Sequence, residues 1–212
     1  MPVCLIMVKT SSTMLPLGYE LPFFDLPVIQ IKERGKKIGL KDLDTFNSAM
    51  LDKRPVLVMI LCAHCPFVKH LEAEITRLEK DYGEKIQIIG VCSNCLETHP
   101  EDGPEYLALQ MLQNQWSFPY LVDSEQILAK SLMAACTPDF FLFSLEEQGK
   151  KQLIYRGQFD DSRPNNTISP SGSDLRAAID SVLNFQNVCH EQKPSIGCNI
   201  KWVPGSEPLW FD

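Results

Sequence analysis

Apolar runs alternate along this chain with periodic amphipathic stretches. Val56-Leu57-Val58-Met59-Ile60-Leu61 is apolar throughout, the pattern of a strand covered on both faces. It runs directly into Cys62-Ala63-His64-Cys65-Pro66. Beyond it, Val68, Leu71, Ile75, Leu78 and Tyr82 recur at three- and four-residue steps. That spacing predicts an amphipathic helix of about four turns, stopped at Gly83. Ile86 to Val91 reads as a second buried strand, and a helix is expected from Pro104 to about Gln115. Asp123-Ser124-Glu125-Gln126 has the form of an N-cap box for a helix reaching Ala134. Phe140 to Phe143 and Leu153 to Arg156, separated by Glu146-Glu147-Gln148-Gly149, predict an antiparallel hairpin. Leu175, Ala178, Ile179, Val182 and Leu183 mark one face of a last helix. Upstream, Phe23 to Ile31, a polar break at Glu33-Arg34-Gly35-Lys36-Lys37 and Ile38-Gly39-Leu40 read as a small hairpin, followed by a short helix from Asp42 to Leu51.

The resulting order, β-α-β-α-β-β-α, predicts an α/β sandwich around a mixed sheet. Residues 1–18 lack periodicity and read as a loose leader, 19–184 as the domain, and 185–212 as a tail docked on it through Ile196 and Trp202. A chain of 212 residues, 44% hydrophobic, suits one domain with extensions. A net charge of −7 without a Lys/Arg block argues against nucleic acid or an anionic membrane as partner. The apolar run Val3 to Val8 is too short for a signal core or a span, so the cytoplasm is the expected location. Eight cysteines in a reducing compartment point to catalysis or metal binding more than to staples.

The strand, dithiol and helix carry the candidate chemistry. A parallel strand delivers the chain to the sheet's carboxyl edge, where the next helix opens with unpaired N–H groups and the positive end of its dipole. A thiolate there is stabilised, and its pKa falls from about 8.5 toward neutrality or below. Two intervening residues allow Cys62 and Cys65 to close a disulfide across one turn. Pro66 suits the first helical position, which would make Cys65 the N-cap and the low-pKa sulfur; the choice between Cys62 and Cys65 stays open. Cys92-Ser93-Asn94-Cys95 ends the second strand and is open to three readings: a relay dithiol, a Cys4 zinc site with the first pair, or ordinary loop cysteines. His99 and His190, with the thiols, form a further copper or zinc possibility. The reading adopted has no bound metal and no dissociable cofactor.

Several longer motifs resemble one group of proteins. Cys62-Ala-His-Cys65 after a strand, Thr137-Pro138 before the late hairpin, and the element order are similar to the thioredoxin superfamily. The Cys65-Pro66 step and the N-terminal hairpin bring the resemblance to the alkyl hydroperoxide reductase / thiol-specific antioxidant branch, a peroxiredoxin-like family. Ala135-Cys136-Thr137-Pro138-Asp139-Phe140-Phe141-Leu142-Phe143, Tyr155-Arg156-Gly157-Gln158 and Lys193-Pro194-Ser195-Ile196-Gly197-Cys198-Asn199-Ile200-Lys201-Trp202 carry it across residues 20–202. The resemblance implies a thioredoxin-like three-layer sandwich with an N-terminal hairpin extension. It implies Cys62 as exposed nucleophile, Cys65 as resolving thiol, and Pro138 as a cis proline whose neighbour Thr137 pairs with an extended substrate. His64 resembles the histidine that strongly oxidising dithiol oxidases carry, which implies an oxidising couple.

Cys136, two residues before Pro138, and Cys198, in the tail, are further redox candidates, beside Cys92 and Cys95. Two departures stand out: Val56 occupies the place where thioredoxins keep a buried acid, and the peroxiredoxin threonine and proline positions hold Cys62 and Val58. The function expected first is a thiol-disulfide oxidoreductase acting on protein or small-molecule disulfides. A thiol peroxidase for hydrogen peroxide or alkyl hydroperoxides comes second, and a metal-binding protein without turnover third. A thioredoxin- or glutathione-type donor would supply electrons.

Overall fold

The computed structural model describes residues 9–30, 40, 43–146 and 149–210. Its central sheet has five strands: β4 (Val56–Ile60), β5 (Gln87–Cys92), β6 (Tyr120–Val122), β8 (Asp139–Leu145) and β9 (Lys151–Gly157). Their order is β6-β5-β4-β8-β9, with β4, β5 and β6 parallel and β8 and β9 antiparallel to their neighbours. The mixed sheet matches the sequence pattern, because β4 is apolar at every position for a physical reason. Leu57 and Met59 point into one core, Val56, Val58 and Ile60 into the other, and all five are fully buried. A strand covered on both faces has no polar side.

The first core is closed by α1 (Pro66–Tyr82), α2 (Pro104–Asn114) and α4 (Ser173–Leu183). Val68, Leu71, Ile75 and Leu78 of α1 lie in it. The second core packs α3 (Ile127–Ser131) with Leu15, Phe24, Ile200 and Trp202. This is the three-layer α/β architecture, with the tail forming part of one layer. Among the described residues no helix is long and apolar enough to cross a membrane.

Four local readings need correction. First, β2 (Asp25–Pro27) pairs antiparallel with β3 (Thr45–Asn47); of the expected partner run Ile38-Gly39-Leu40, all but Leu40 lies outside the described residues. Thr45–Asn47 therefore lies in a strand where a helix was expected, and only a 3-10 turn at Ser48–Met50 follows, capped by Asn47 Oδ1 accepting from Ala49 N. The expected turn at 33–37 lies outside the described residues, as does Cys4. Second, Tyr120–Val122 is a strand, too short to show a period. Third, α3 spans only five residues. Gln126, its N-cap, is left-handed (φ 58), and the Asp123 carboxylate accepts from Leu128 N and Ala129 N.

The fourth correction concerns both chain ends. Lys9–Ser11, expected in a loose leader, is strand β1, paired antiparallel with β10 (Ile196–Asn199) in the tail. β10 pairs in turn with β7 (Cys136–Thr137), giving a three-stranded sheet β1-β10-β7. Leader and tail thus stabilise each other, a pairing that hydropathy cannot anticipate because the two segments are short and far apart in sequence.

Candidate functional site

Register brings the candidate residues together. Antiparallel pairing of β4 with β8 sets Ile60 opposite Asp139, so the chain beyond β4 meets Thr137 and Pro138. The Thr137–Pro138 peptide is cis, and Cys62 Sγ lies 3.5 Å from Thr137 Oγ1. Cys65 is the N-cap of α1 with Pro66 at the first helical position. Its carbonyl accepts the first helical hydrogen bond, from Lys69 N at 3.0 Å. Cys65 Sγ lies 3.2 Å from the Thr137 carbonyl oxygen and 3.0 Å from Cys198 Sγ. All three cysteines are free thiols.

Their electrostatic settings differ. Burial alone would raise the Cys65 thiol. Hydrogen bonds to its sulfur from Cys198, Cys62, Thr137 and the Val68 N–H outweigh burial and hold it well below its ordinary value. The Thr137 carbonyl favours the protonated sulfur, but one acceptor stands against four donors and the helix N-terminus. Burial pushes Cys62 up, reinforced by its hydrogen bond with Cys65 and the Asp102 charge. Cys198 is pushed up first by its hydrogen bond to Cys65 and then by burial. Cys62, expected as the exposed nucleophile, is completely buried and carries the less acidic sulfur. The helix begins one turn too late to serve it.

A carboxylate that sequence reasoning missed organises the Cys62–Cys65 loop. Asp102, fully buried, accepts from Ala63 N at 2.8 Å and His64 N at 3.1 Å through Oδ1. Its Oδ2 lies 2.6 Å from His64 Nδ1 and accepts from Asn94 Nδ2 at 2.7 Å. Burial would raise this carboxyl, yet the His64 and Asn94 hydrogen bonds hold it below the usual range. The same contact raises the His64 pKa, favouring the protonated ring beside the thiols. His99 stacks on His64 with ring centroids 5.4 Å apart, and burial lowers its pKa. In sequence, an acid two residues before a helix-starting proline looks like any turn residue.

The second cysteine pair does not join the first. Cys92 is a core residue, pushed up by burial, whose sulfur lies 3.9 Å from the Asp102 carbonyl oxygen. The backbone around Cys95 holds the tail instead. Cys95 N donates to Lys201 O at 2.7 Å, and Asn94 Oδ1 accepts from Lys201 N at 2.9 Å. Among the described residues, the groups close enough to share an ion are Cys62, His64 and Asp102, or His64, His99 and Glu101. Neither includes Cys92 or Cys95, so the Cys4 site has no geometric support. Cys136 is buried with its sulfur 3.7 Å from the Pro138 carbonyl oxygen, and burial pushes its thiol well up.

Two further expectations change. The edge of β7, where an extended substrate was expected to pair with Thr137, is occupied by β10: Cys198 pairs with Thr137 and Asn199 with Cys136. And a buried acid is present after all, though not at position 56. Asp139, next to Pro138, is 1% exposed, and its Oδ2 has no hydrogen-bond partner among the described residues. Burial raises it to about 7.

Neither protein-family models nor curated proteins give a match to this sequence. Solved structures do. An uncharacterized conserved protein from Geobacillus kaustophilus is 39% identical, with a TM-score of 0.83 over 94% of this chain and 99% of that one. A hypothetical protein from Sinorhizobium meliloti is 36% identical, with a TM-score of 0.82 over 92% of this chain and all of the other. AhpC of Mycobacterium tuberculosis shares 17% identity and a TM-score of 0.54 over 83% of this chain and 97% of its own, a likeness of fold. The chain belongs to the family of the Geobacillus and Sinorhizobium proteins, and with the cysteine loop at the end of β4 and the cis proline opposite it, its fold is thioredoxin-like.

Proposed function

We propose that this protein is a thiol-disulfide oxidoreductase in which Cys65 is the attacking sulfur. The observation that carries the reading is the position of Cys65 Sγ at the N-terminus of a 17-residue helix, supplied with hydrogen-bond donors and set against a cis proline. The Cys65 thiolate attacks one sulfur of a disulfide R–S–S–R, a mixed disulfide between Cys65 and that sulfur forms, the original S–S bond breaks, and RS⁻ leaves. A second thiol of the cluster then attacks the Cys65 sulfur, releases the other RS⁻ and leaves an intramolecular disulfide. A thioredoxin- or glutathione-type donor would return two electrons and two protons. Protonated, His64 would favour the charged, reduced form of Cys65 and make the couple oxidising.

The enclosure of the site favours a second reading, thiol peroxidase. Cys62 and Cys65 are both fully buried, and a peroxide of few atoms reaches such a sulfur more readily than a folded protein does. The thiolate would take the terminal peroxide oxygen to give a sulfenic acid and an alcohol or water. A neighbouring thiol would then condense with it and release water.

One titration and one pair of rates test both readings. Thiolate absorbance near 240 nm should persist in Cys62→Ser at pH values where an ordinary thiol is protonated, and vanish in Cys65→Ser. Reduced protein should then react with hydroxyethyl disulfide or with substoichiometric hydrogen peroxide orders of magnitude faster than free cysteine, the faster oxidant choosing between the readings. Equal absorbance in the two variants removes Cys65 from the role.

A further inference from the structure

We propose that Cys198 is the thiol that resolves Cys65, and that β10 is a built-in occupant of the groove an extended substrate would otherwise fill. The inference rests on Cys65 being the attacking sulfur and names its partner and its substrate class.

The backbone evidence comes first. β7 ends at the cis proline, and a strand added to its edge is the natural way for an extended chain to dock there. That edge is taken: Cys198 is in register with Thr137, and the far side of β10 is closed by β1, with Lys9 opposite Cys198. Gly197 makes the approach possible. A Cβ at this residue would stand 2.0 Å from the Thr137 carbonyl oxygen, so no larger residue fits without moving the strand. Tail residues Ile200 and Trp202 anchor β10 in the second core, and the Cys95 and Asn94 backbone and side chain grip Lys201.

The sulfurs follow from this seating. Cys198 Sγ is 3.0 Å from Cys65 Sγ, so a bond of about 2.0 Å requires a movement of about 1 Å. Cys198 is also 6% exposed, whereas Cys62 is closed off entirely.

The chemistry of the three thiols points the same way. As long as Cys65 is a thiolate, Cys198 donates its S–H to that charge, and this donation is the main cause of its raised pKa. Once Cys65 is bonded to RS, the charge is gone and with it the largest cause; burial still raises Cys198, opposed by the Lys201 charge. Cys62 is raised chiefly by burial, which does not change when Cys65 reacts. The step is Cys65–S–S–R plus Cys198–SH, giving Cys65–S–S–Cys198 plus RSH. The S–R disulfide breaks, the Cys65–Cys198 bond forms, and the Cys198 proton ends on the leaving thiol. Because β10 fills the groove, the oxidants suited to this site are small disulfides or peroxides, not extended segments of folded proteins.

Disulfide mapping on wild-type protein tests this directly. Reduced protein is treated with one equivalent of hydroxyethyl disulfide, alkylated and digested, and its linkages are read by mass spectrometry. A Cys65–Cys198 peptide pair is expected. A Cys62–Cys65 pair overturns the assignment of Cys198 while leaving disulfide exchange through Cys65 intact. Absence of Cys65 from every disulfide and adduct overturns the reading on which the inference rests. In Cys198→Ser, the Cys65–hydroxyethyl adduct should accumulate. Release of the second mercaptoethanol should slow on the order of 100-fold or more, as an intramolecular attack is replaced by a bimolecular one. Release at the wild-type rate overturns the proposal.

Discussion

Asp102→Asn perturbs the loop that carries both cysteines without changing its shape. The Asp102 Oδ1 atom accepts from the Ala63 and His64 N–H groups, and Asn can keep an acceptor there. The Oδ2 position becomes an NH2 facing the Asn94 amide, a donor against a donor, and it loses the 2.6 Å contact with the His64 ring. A charge-assisted hydrogen bond is worth about 1.5–3 kcal/mol net, and a buried donor left without an acceptor costs about 1–3 kcal/mol. The variant no longer buries a charge, which returns part of this. The expected loss is about 2–4 kcal/mol, a large share of a stability typically near 5–15 kcal/mol. Urea unfolding of reduced protein measures it. The loss should also depend on pH in a definite direction. The Asp102 contact raises the folded-state pKa of His64 above its ordinary value. The stabilisation from this ion pair is therefore fully present below the ordinary imidazole pKa and disappears as pH rises through the raised one. The gap between wild type and Asp102→Asn should be wider at pH 6 than at pH 9. A gap under about 1 kcal/mol at pH 6, or one of equal size at pH 9, would refute the view of Asp102 as the clasp of this loop.

Two other substitutions probe features nearby. Asp139, raised to about 7 by burial, keeps its proton in the folded state at pH values where the unfolded chain has lost it. The Asp139 contribution to wild-type stability should consequently fall as pH rises from about 4 to about 7, and Asp139→Asn should make urea midpoints less steeply dependent on pH across that range; an unchanged slope assigns it to other groups. Gly197→Ala would push β10 away from Thr137, because its Cβ has no room. It should cost about 1–3 kcal/mol and lower the yield of the Cys65–Cys198 disulfide; unaltered stability and yield would mean that the close approach has no consequence.

How far these features could be read from the chain depends on the range of the forces involved. The α1 stripe of Val68, Leu71, Ile75 and Leu78 is a local pattern, and the helix lies where the stripe places it. The β4 run is equally direct, since burial on both faces leaves no polar residue to blur it. Thr45–Asn47 gives no strand signal because three residues show no period, and their partner Asp25–Pro27 lies well upstream in sequence. Asp102 was invisible for a related reason: its role is defined by Ala63, His64 and Asn94, which reach it only after β4 and β5 have paired in parallel. The proline after Cys65 did carry a local signal about which sulfur caps the helix. The 3.0 Å approach of Cys198 has none, since it depends on a strand whose partners, β1 and β7, both lie far from it in sequence.

That last arrangement bears on how the protein is made. Lys9 pairs with Cys198, so β1 waits for a partner synthesised after all five strands of the central sheet. Closing so long a loop is entropically costly and slow relative to local steps. A newly made chain can thus assemble the central sheet and pack α1 on it while β7 still presents a bare edge and the Cys65 sulfur still lies uncovered. Bare strand edges invite pairing with other chains, and an uncovered thiolate invites crosslinking to them. Arrival of β10 ends both hazards in one event, which makes completion of folding and shielding of the reactive sulfur the same step in the life of the molecule.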